Sequence, residues 1–444
     1  MGVLMMESFQ RFAQVDFDNA GAGPLRPIQT DGEWREFAGY YNVQDAVNGP
    51  LNAANGYGYV GLVQDPIVAT KTRLGMGVKL TGGSHNYQHV YGLDRLFAAP
   101  KTKYTVGFLV RFRYPGYLAG LTSGFINETY GFEFCAPGRQ RLAVSTANQP
   151  RYIAVGGTNT AAGTQAVVSA DTMNTPGTVM GSATSPNFTV NAVPTFRMNG
   201  QADPNGVGVS MTMDTDHFFE VEVDITNKTL KVWMDDIYCG TTPWADAYHS
   251  ALANGFQLRL LRFEGTSNYG STTDSGGIYL SDIYCVDNTD GVVPNSRLGK
   301  TTRVMGESPD KDISTMFTPP SGFSGNYDVI NDPIANNALP TNFLSGDGAG
   351  AEDMYQTAGS NIKAFAGTVY GVQIHARFQN ASATTHQLAV TTDDGTTKTE
   401  NSLGNIGAGT GVLMKSIVLN KTPSGGAWTP AAAAALKYGF KIVN

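Results

Sequence analysis

The chain has 444 residues, of which 41% are hydrophobic, so it is long and apolar enough for folded domains, and intrinsic disorder is excluded. Charged residues make up 15%, below the roughly 25% of typical soluble domains, whereas glycine is frequent, at 53 residues. The net charge is −7 and no run of lysine and arginine occurs, which argues against nucleic-acid binding.

Frequent glycine and threonine with few charges favour many short strands joined by tight turns. The cysteines Cys135, Cys239 and Cys285 are far apart and odd in number, so they predict neither a disulfide framework nor a zinc site. We expect them to be buried in strands of a protein made in a reducing cytoplasm. The first seven residues match neither a secretory signal nor a myristoylation site, and no apolar run reaches the ~18 residues of a membrane span.

The first half of the chain predicts β-strands. Residues 1–60 are rich in aromatic residues and glycine, and Arg73–Leu80 alternates as a strand does. Tyr104–Tyr114 predicts a strong strand, because its valines and phenylalanines share one face at a period of two. Residues 150–210 predict short strands and long loops at the edge of this domain, with an inserted subdomain as the alternative.

A β-hairpin is predicted over His217–Tyr238, with its turn at Thr226–Thr229. Its first strand alternates strictly between two kinds of side chain. We expect a buried apolar face and a solvated acidic face, as in many antiparallel sheets. The apolar face has Phe219, Val221, Val223 and Ile225, and the acidic face has Glu220, Glu222 and Asp224.

The stretch Gly276–Leu298 predicts the join between two domains. An apolar strand, Ile278–Val286, runs into turn-forming residues that include Asp290-Gly291 and Pro294. We therefore predict a first domain over residues 1–287, a semi-rigid linker over 288–300 and a second domain over 301–444. Proteolysis within the linker is expected to release two folded pieces.

The second domain also predicts β structure. Alternating residues indicate strands at Val372–Phe378, Val412–Leu419 and Tyr438–Val443. A short helix is predicted over Ala431–Lys437, because Thr429 can serve as its N-cap and Pro430 as its first residue.

Several of these segments carry a resemblance. "RLGMGVKL", "FEVEVDITNKTLKVWMDD" and "YLSDIYCVDNTDG" resemble a concanavalin A-like or laminin G-like jelly roll. "NSRLGKTTRVMGESPDKDISTMFTPPSG", with "IKAFAGTVYGVQIHARFQN" and "GAWTPAAAAALKYGFKIVN", resembles a module in structural proteins of tailed bacteriophages. The resemblance covers about residues 220–444 and reaches the N-terminal third only by pattern. It implies a mainly β fold, a jelly-roll β-sandwich followed by a smaller β-sandwich domain with one short helix.

The same resemblance implies a non-enzymatic structural component of a tailed phage particle, at the head, the neck or collar, or as a tail decoration or fibre. Its partners would be other virion proteins and further copies of itself, with a trimer suiting a projecting fibre. It would reside in the virion after synthesis in the bacterial host cytoplasm, with no nucleic-acid or membrane partner. The alternative is a carbohydrate-binding module for a host surface glycan, and a glycan depolymerase is less favoured.

The strongest enzymatic lead is Glu222-Val223-Asp224. Laminarinase-type jelly-roll glycosidases carry Glu-x-Asp-x-x-Glu on one strand, where the first glutamate is the nucleophile and the last the acid/base. Here Asn227 stands at the last position and cannot transfer a proton. We therefore predict no catalytic residues.

Metal and cofactor sites are also not predicted. His85 and His89 are four residues apart but lie beside glycines and without a third ligand. The Asp-rich turns 214–216, 310–312 and 393–395 lack the calcium-loop order, and calcium remains an open alternative there. Gly75-Met76-Gly77 precedes no helix, and no Gly-x-Ser-x-Gly elbow occurs. Each tryptophan is expected to pack in a core, with sugar stacking as the alternative, namely Trp34, Trp233, Trp244 and Trp428.

Overall fold

A computed structural model describes most of the second half of the chain and separate segments of the first. The described ranges are 2–11, 34–40, 59–64, 72–77, 88–113, 128–137, 153–160, 163–169, 189–192, 197–198, 201–202, 209–212, 215–243, 247–264, 277–287, 297–331, 342–346 and 348–444.

Eighteen strands precede residue 288 in the described ranges. They are β1 (Val3–Glu7), β2 (Trp34–Tyr40), β3 (Tyr59–Gln64), β4 (Thr72–Gly77), β5 (Gln88–Leu96), β6 (Lys103–Arg113), β7 (Glu128–Cys135), β8 (Ile153–Thr160), β9 (Gly163–Ser169), β10 (Thr189–Ala192), β11 (Arg197–Met198), β12 (Gln201–Ala202), β13 (Val209–Thr212), β14 (Asp216–Asp224), β15 (Thr229–Met234), β16 (Ile237–Pro243), β17 (Gly255–Glu264) and β18 (Gly277–Asp287). A 3₁₀ helix, Ala247–Asn254, precedes β17.

These strands form two large antiparallel sheets. The first sheet has the order β16-β15-β14-β6-β18-β4-β3, and β1 pairs with β18 beside β4. The second has the order β2-β5-β17-β7-β8-β9. The sheets pack face to face through aromatic rings, with the centroids of Tyr104 on β6 and Phe256 on β17 lying 6.5 Å apart. The Trp34 ring on β2 meets Phe256 edge-on at 6.2 Å. This is the predicted mainly β jelly-roll sandwich, here called the first unit.

The second unit is a smaller sandwich that follows residue 308. Its strands are β19 (Pro309–Ser314), β20 (Glu352–Thr357), β21 (Val372–Asn380), β22 (His386–Asp393), β23 (Lys398–Ile406), β24 (Thr410–Leu419) and β25 (Lys437–Ile442). A five-stranded sheet has the order β19-β20-β25-β22-β23, and β21 pairs with β24. A buried cluster joins the two layers, with Ile374 and Ala376 from β21, Val390 from β22 and Trp428 among its members.

The second unit has more helices than the single one predicted. Its described residues contain three, which are α1 (Asn326–Ile330), α2 (Ser360–Lys363) and α3 (Pro430–Ala435). The helix α3 is the predicted one, and the Thr429 hydroxyl accepts the Ala432 N–H as its N-cap. The sequence did not indicate α1 and α2, because four or five residues are too few to show a helical period. None of the helices within the described ranges is long and apolar enough to span a membrane.

The predicted solvated face of β14 is buried, which corrects the expectation for Glu220, Glu222 and Asp224. These side chains belong to residues exposed by only 1%, 3% and 9%. The outer face of the first sheet carries its own apolar cluster, and residues from beyond position 296 cover it. That cluster consists of Val3, Leu109, Phe218, Tyr284 and Val286, with Leu298, Tyr370 and Val418 packed against it.

The strand β1 joins the two units through both of its edges. One edge pairs with β18. Toward the other unit, the Val3 N–H donates to Asn420 Oδ1 at 2.6 Å, and the Met6 N–H donates to Gln373 Oε1 at 2.6 Å. Amide side chains of the second unit therefore satisfy main-chain groups that an edge strand would leave unpaired.

Candidate functional site

The acidic row of β14, defined as Glu220, Glu222 and Asp224, is the best candidate for chemistry. The strand lies between β6 and β15, so all three side chains project from the middle of a sheet. Each carboxylate binds donors from its own chain. The identity of those donors shows whether two of these carboxylates could act as a catalytic pair.

Asp224 and Asn227 form a turn. The Asn227 main-chain N–H donates to Asp224 Oδ1 and the Asn227 side-chain amide to Asp224 Oδ2, both at 2.9 Å. Burial alone would raise the pKa of Asp224, but these bonds outweigh it and, with the charges of Lys103 and Lys231, lower the pKa below 3.8. A carboxyl group with a lowered pKa is a poor proton donor near neutrality, where a glycosidase acid needs a raised one.

Glu222 lies between two lysines. Lys103 Nζ and Lys231 Nζ each lie 3.3 Å from its Oε1 atom. Lys231 is its cross-strand partner on β15, and Lys103 is the first residue of β6. Glu222, which stands where the glycosidase pattern has its nucleophile, thus forms ion pairs on the face of the sheet, and these pairs hold neighbouring strands together.

Replacing Asn227 with alanine is expected to raise the pKa of Asp224 toward its ordinary value, because the side-chain bond is lost and the main-chain bond remains. A carboxyl-carbon NMR titration would measure this, with Thr226→Ala in the same turn as the control. The lowered pKa stabilises the fold above the unfolded-state value of about 3.9, and this contribution is lost as the pH falls through the folded-state pKa. A wild-type pKa above 3.9 would contradict this account.

Glu220 has the most bonds of the three. Its carboxylate accepts from the Tyr284 hydroxyl, from Arg297 Nη1 at 2.7 Å, and from the Leu298 and Gly299 N–H groups at 3.0 and 2.9 Å. The Arg297 guanidinium also lies 4.5 Å from the centre of the Trp233 ring. Sequence reasoning missed this role, since the partners lie 64 to 79 positions further along the chain. The one local signal was Phe218, an apolar residue on the supposedly solvated face.

The predicted Asp-rich turns use their carboxylates as local acceptors. Asp312 accepts the Asn326 and Tyr327 N–H groups at the start of α1. Asp394 accepts from Ser424 and from Thr397, and these bonds lower its pKa. No cluster of three metal-ligating side chains occurs among the residues that the structure describes. His89 lies on β5, Asp214 and His85 lie outside the described residues, and so does the side chain of His89.

The tryptophans and cysteines mainly pack as expected. Trp34 and Trp428 are buried, and the Trp428 indole N–H donates to the Leu419 carbonyl at 2.8 Å. Trp233 is half-buried, with Tyr238 at 5.5 Å between ring centres. Burial raises the pKa of the Cys239 thiol to about 12 and that of Cys285 well above its ordinary value. Trp244 and the Cys135 side chain lie outside the described residues.

No family model matches this chain, and no curated protein matches it. Solved structures similar to it include the potassium-bound carbohydrate recognition domain of Emp46p, at 12% identity and a TM-score of 0.27, covering 58% of this chain and 89% of that one. LamAcat from Zobellia galactanivorans is 9% identical with a TM-score of 0.32, covering 64% of this chain and 98% of that one. A glycoside hydrolase family 16 endo-glucanase from Bacteroides ovatus is 9% identical with a TM-score of 0.31, covering 64% of this chain and 100% of that one. Similarity this weak carries no argument about binding or catalysis.

Proposed function

We propose that this chain is a non-enzymatic structural component of a tailed bacteriophage particle, assembled through contacts with other virion proteins and with copies of itself. The observation that carries the proposal is that the carboxylates of the acidic row are engaged by groups of their own chain. Glu220, Glu222 and Asp224 bind lysines, an arginine and main-chain amides of their own chain, so they serve the architecture.

The union of the two units supports the same role. The strand β1 bonds to both, and Leu298, Tyr370 and Val418 cover the apolar outer face of the first sheet. A component of a repeating particle has to present its contact surfaces at a fixed angle, because closed symmetric assemblies repeat one geometry at every position. Two sandwiches held at several points meet that requirement.

The experiment is to purify particles that contain this protein and determine its place and copy number by electron cryo-microscopy and quantitative mass spectrometry. We expect a fixed copy number that matches a symmetry of the particle, in contact with neighbouring virion proteins. Recovery of the protein only as a free monomer in the lysate, with none in the particles, would overturn the proposal.

A carbohydrate-binding role in the same particle is the second candidate. The half-buried pair Trp233 and Tyr238, beside Ile237 at 46% exposure, favours it, because sugars stack on such aromatic surfaces. Arg297 covers one face of the Trp233 ring, so a sugar would use the other. Binding on a host-glycan array that is lost in Trp233→Ala would support this role, and absence of binding across host polysaccharides would exclude it.

A further inference from the structure

Residues 297–306, here called the strap, connect to the second unit without being part of a sheet. No strand occurs in this segment. Within the described residues, its one main-chain to main-chain bond is an internal turn, from the Thr302 N–H to the Gly299 carbonyl at 3.0 Å. The strap nevertheless runs along the first unit, where five of its main-chain N–H groups find acceptors.

Those acceptors are side chains, and most are carboxylates. Glu220 accepts the Leu298 and Gly299 N–H groups, as described above. Asp236 Oδ1 accepts the Lys300 N–H at 3.1 Å, Asp282 Oδ1 the Val304 N–H at 2.8 Å, and Gln10 Oε1 the Gly306 N–H at 2.9 Å. The strap is therefore held by an acidic cradle, defined as Glu220, Asp236 and Asp282.

The cradle residues are shaped for this task at a conformational cost. Asp236 and Asp282 both have left-handed backbones, with φ of 70° and 49°. A left-handed backbone is unfavourable for residues other than glycine, so surrounding contacts must maintain it. Asp236 lies in the tight turn between β15 and β16, and Asp282 at the irregularity in β18 where pairing with β6 shifts register. Both distortions aim a carboxylate at the strap.

Charge complements these bonds. The strap carries three cations, Arg297, Lys300 and Arg303, against the three cradle carboxylates, and the Arg303 guanidinium donates to the Lys300 and Thr302 carbonyls within the strap. Arg297 Nη1 lies 2.7 Å from Glu220 Oε2 and 3.7 Å from Asp236 Oδ1. Leu298 is the strap residue that packs on the apolar cluster of the outer face. Lys300, Arg303 and Met305 are exposed, so little apolar area holds the segment in place.

We propose that the strap is a releasable lock between the two units, closed by Glu220, which opens as one segment while both sandwiches and the docking of β1 remain intact. Segments with few buried apolar contacts and solvent-accessible hydrogen bonds open at lower free energy than packed sheets. Salt screens the exposed charge-assisted bond from the Lys300 N–H to Asp236, whereas the bonds of the buried Glu220 carboxylate and the apolar contacts of the units are affected much less. This inference does not depend on the role in a particle.

The test is amide hydrogen exchange by mass spectrometry on the full chain, comparing wild type, Glu220→Gln and Glu222→Gln. Glu222 is the matched control, two residues along the same strand on the same face, with its lysine pairs inside the first unit. Glu220→Gln is expected to speed exchange in peptides covering 297–304 about tenfold or more, while β14 and β18 stay protected and Glu222→Gln leaves the strap unchanged. Added salt should speed strap exchange in wild type.

Asp282→Gly provides a second variant, because glycine accepts the left-handed backbone and removes only the carboxylate. It should speed exchange at Val304 and its neighbours. Equal strap exchange in Glu220→Gln and Glu222→Gln would overturn the proposal. So would loss of protection across both sandwiches in Glu220→Gln, or wild-type strap exchange as slow as that of β14.

Discussion

Replacing Asp353 with alanine is expected to lower the free energy of unfolding of the second unit by about 3–5 kcal/mol. This carboxylate is fully buried. It accepts the Met316 N–H at 2.6 Å, the Phe317 N–H at 2.8 Å, the Asn326 amide at 2.5 Å and the Tyr355 hydroxyl at 2.8 Å. Alanine would leave these four donors without the acceptor that they share in the interior, and each buried unsatisfied donor costs about 1–3 kcal/mol.

This loss would be measured in a urea unfolding series, with hydrogen exchange of the β20 and β25 amides as the readout. The control is Asp312→Ala in the same unit, which removes two bonds to the start of α1 at a less buried site. We expect that control to cost about 1 kcal/mol, the usual size of a lost helix cap. Equal losses for Asp353→Ala and Asp312→Ala would contradict the assignment of Asp353 as the centre of this network.

Replacing Gly107 with alanine is expected to destabilise the first unit by about 3 kcal/mol or more. Gly107 on β6 pairs with Glu220 on β14, and a Cβ atom at Gly107 would lie only 2.1 Å from Cε1 of the Tyr284 ring. That ring cannot move aside easily, because Phe218 stacks on it with centroids 6.0 Å apart and Glu220 accepts its hydroxyl bond. The change therefore disturbs both the apolar cluster and the acceptor that closes the strap.

A double-mutant cycle with Tyr284→Ala tests this mechanism by urea unfolding. Gly107→Ala should cost about 1 kcal/mol or less once the ring is absent, so the two changes should be strongly non-additive. The control Gly411→Ala adds a Cβ on β24 where no atom lies within 4 Å, and little change is expected. Additive losses in the cycle would show that the clash with Tyr284 is not the cause.

Local patterns predicted much of the fold. The alternation in Tyr104–Tyr114 and the hairpin 217–238 correspond to β6, β14 and β15, and the Thr429-Pro430 signal corresponds to the start of α3. These features depend on neighbours in sequence, namely strand period, turn chemistry and a cap. The domain limits at 287 and 301 stay predictions, and residues 288–296 of the predicted linker lie outside the described part of the chain.

The acidic row was misjudged because alternation shows that a strand has two faces and not what covers each face. The sequence pattern therefore predicted a solvated row at Glu220, Glu222 and Asp224. That side of the sheet is instead covered by residues from later in the chain, namely Leu298, Tyr370 and Val418. The same limit applies to Asp236 and Asp282. Asp236 looks like an ordinary turn residue and Asp282 like a polar residue within a strand until their acceptor roles toward the strap are known.

The central claim is that both units form one body, joined by β1, the apolar cluster of the outer face and the strap. The direct measurement is to insert a specific protease site after Asp290, cleave the folded protein, and follow both fragments by size-exclusion chromatography with light scattering. The linker pattern alone predicts two separable pieces, whereas the contacts of β1 and of the apolar cluster predict that the fragments elute together at the mass of the uncut protein and separate only in denaturant. Two folded fragments that elute separately in native buffer would contradict it.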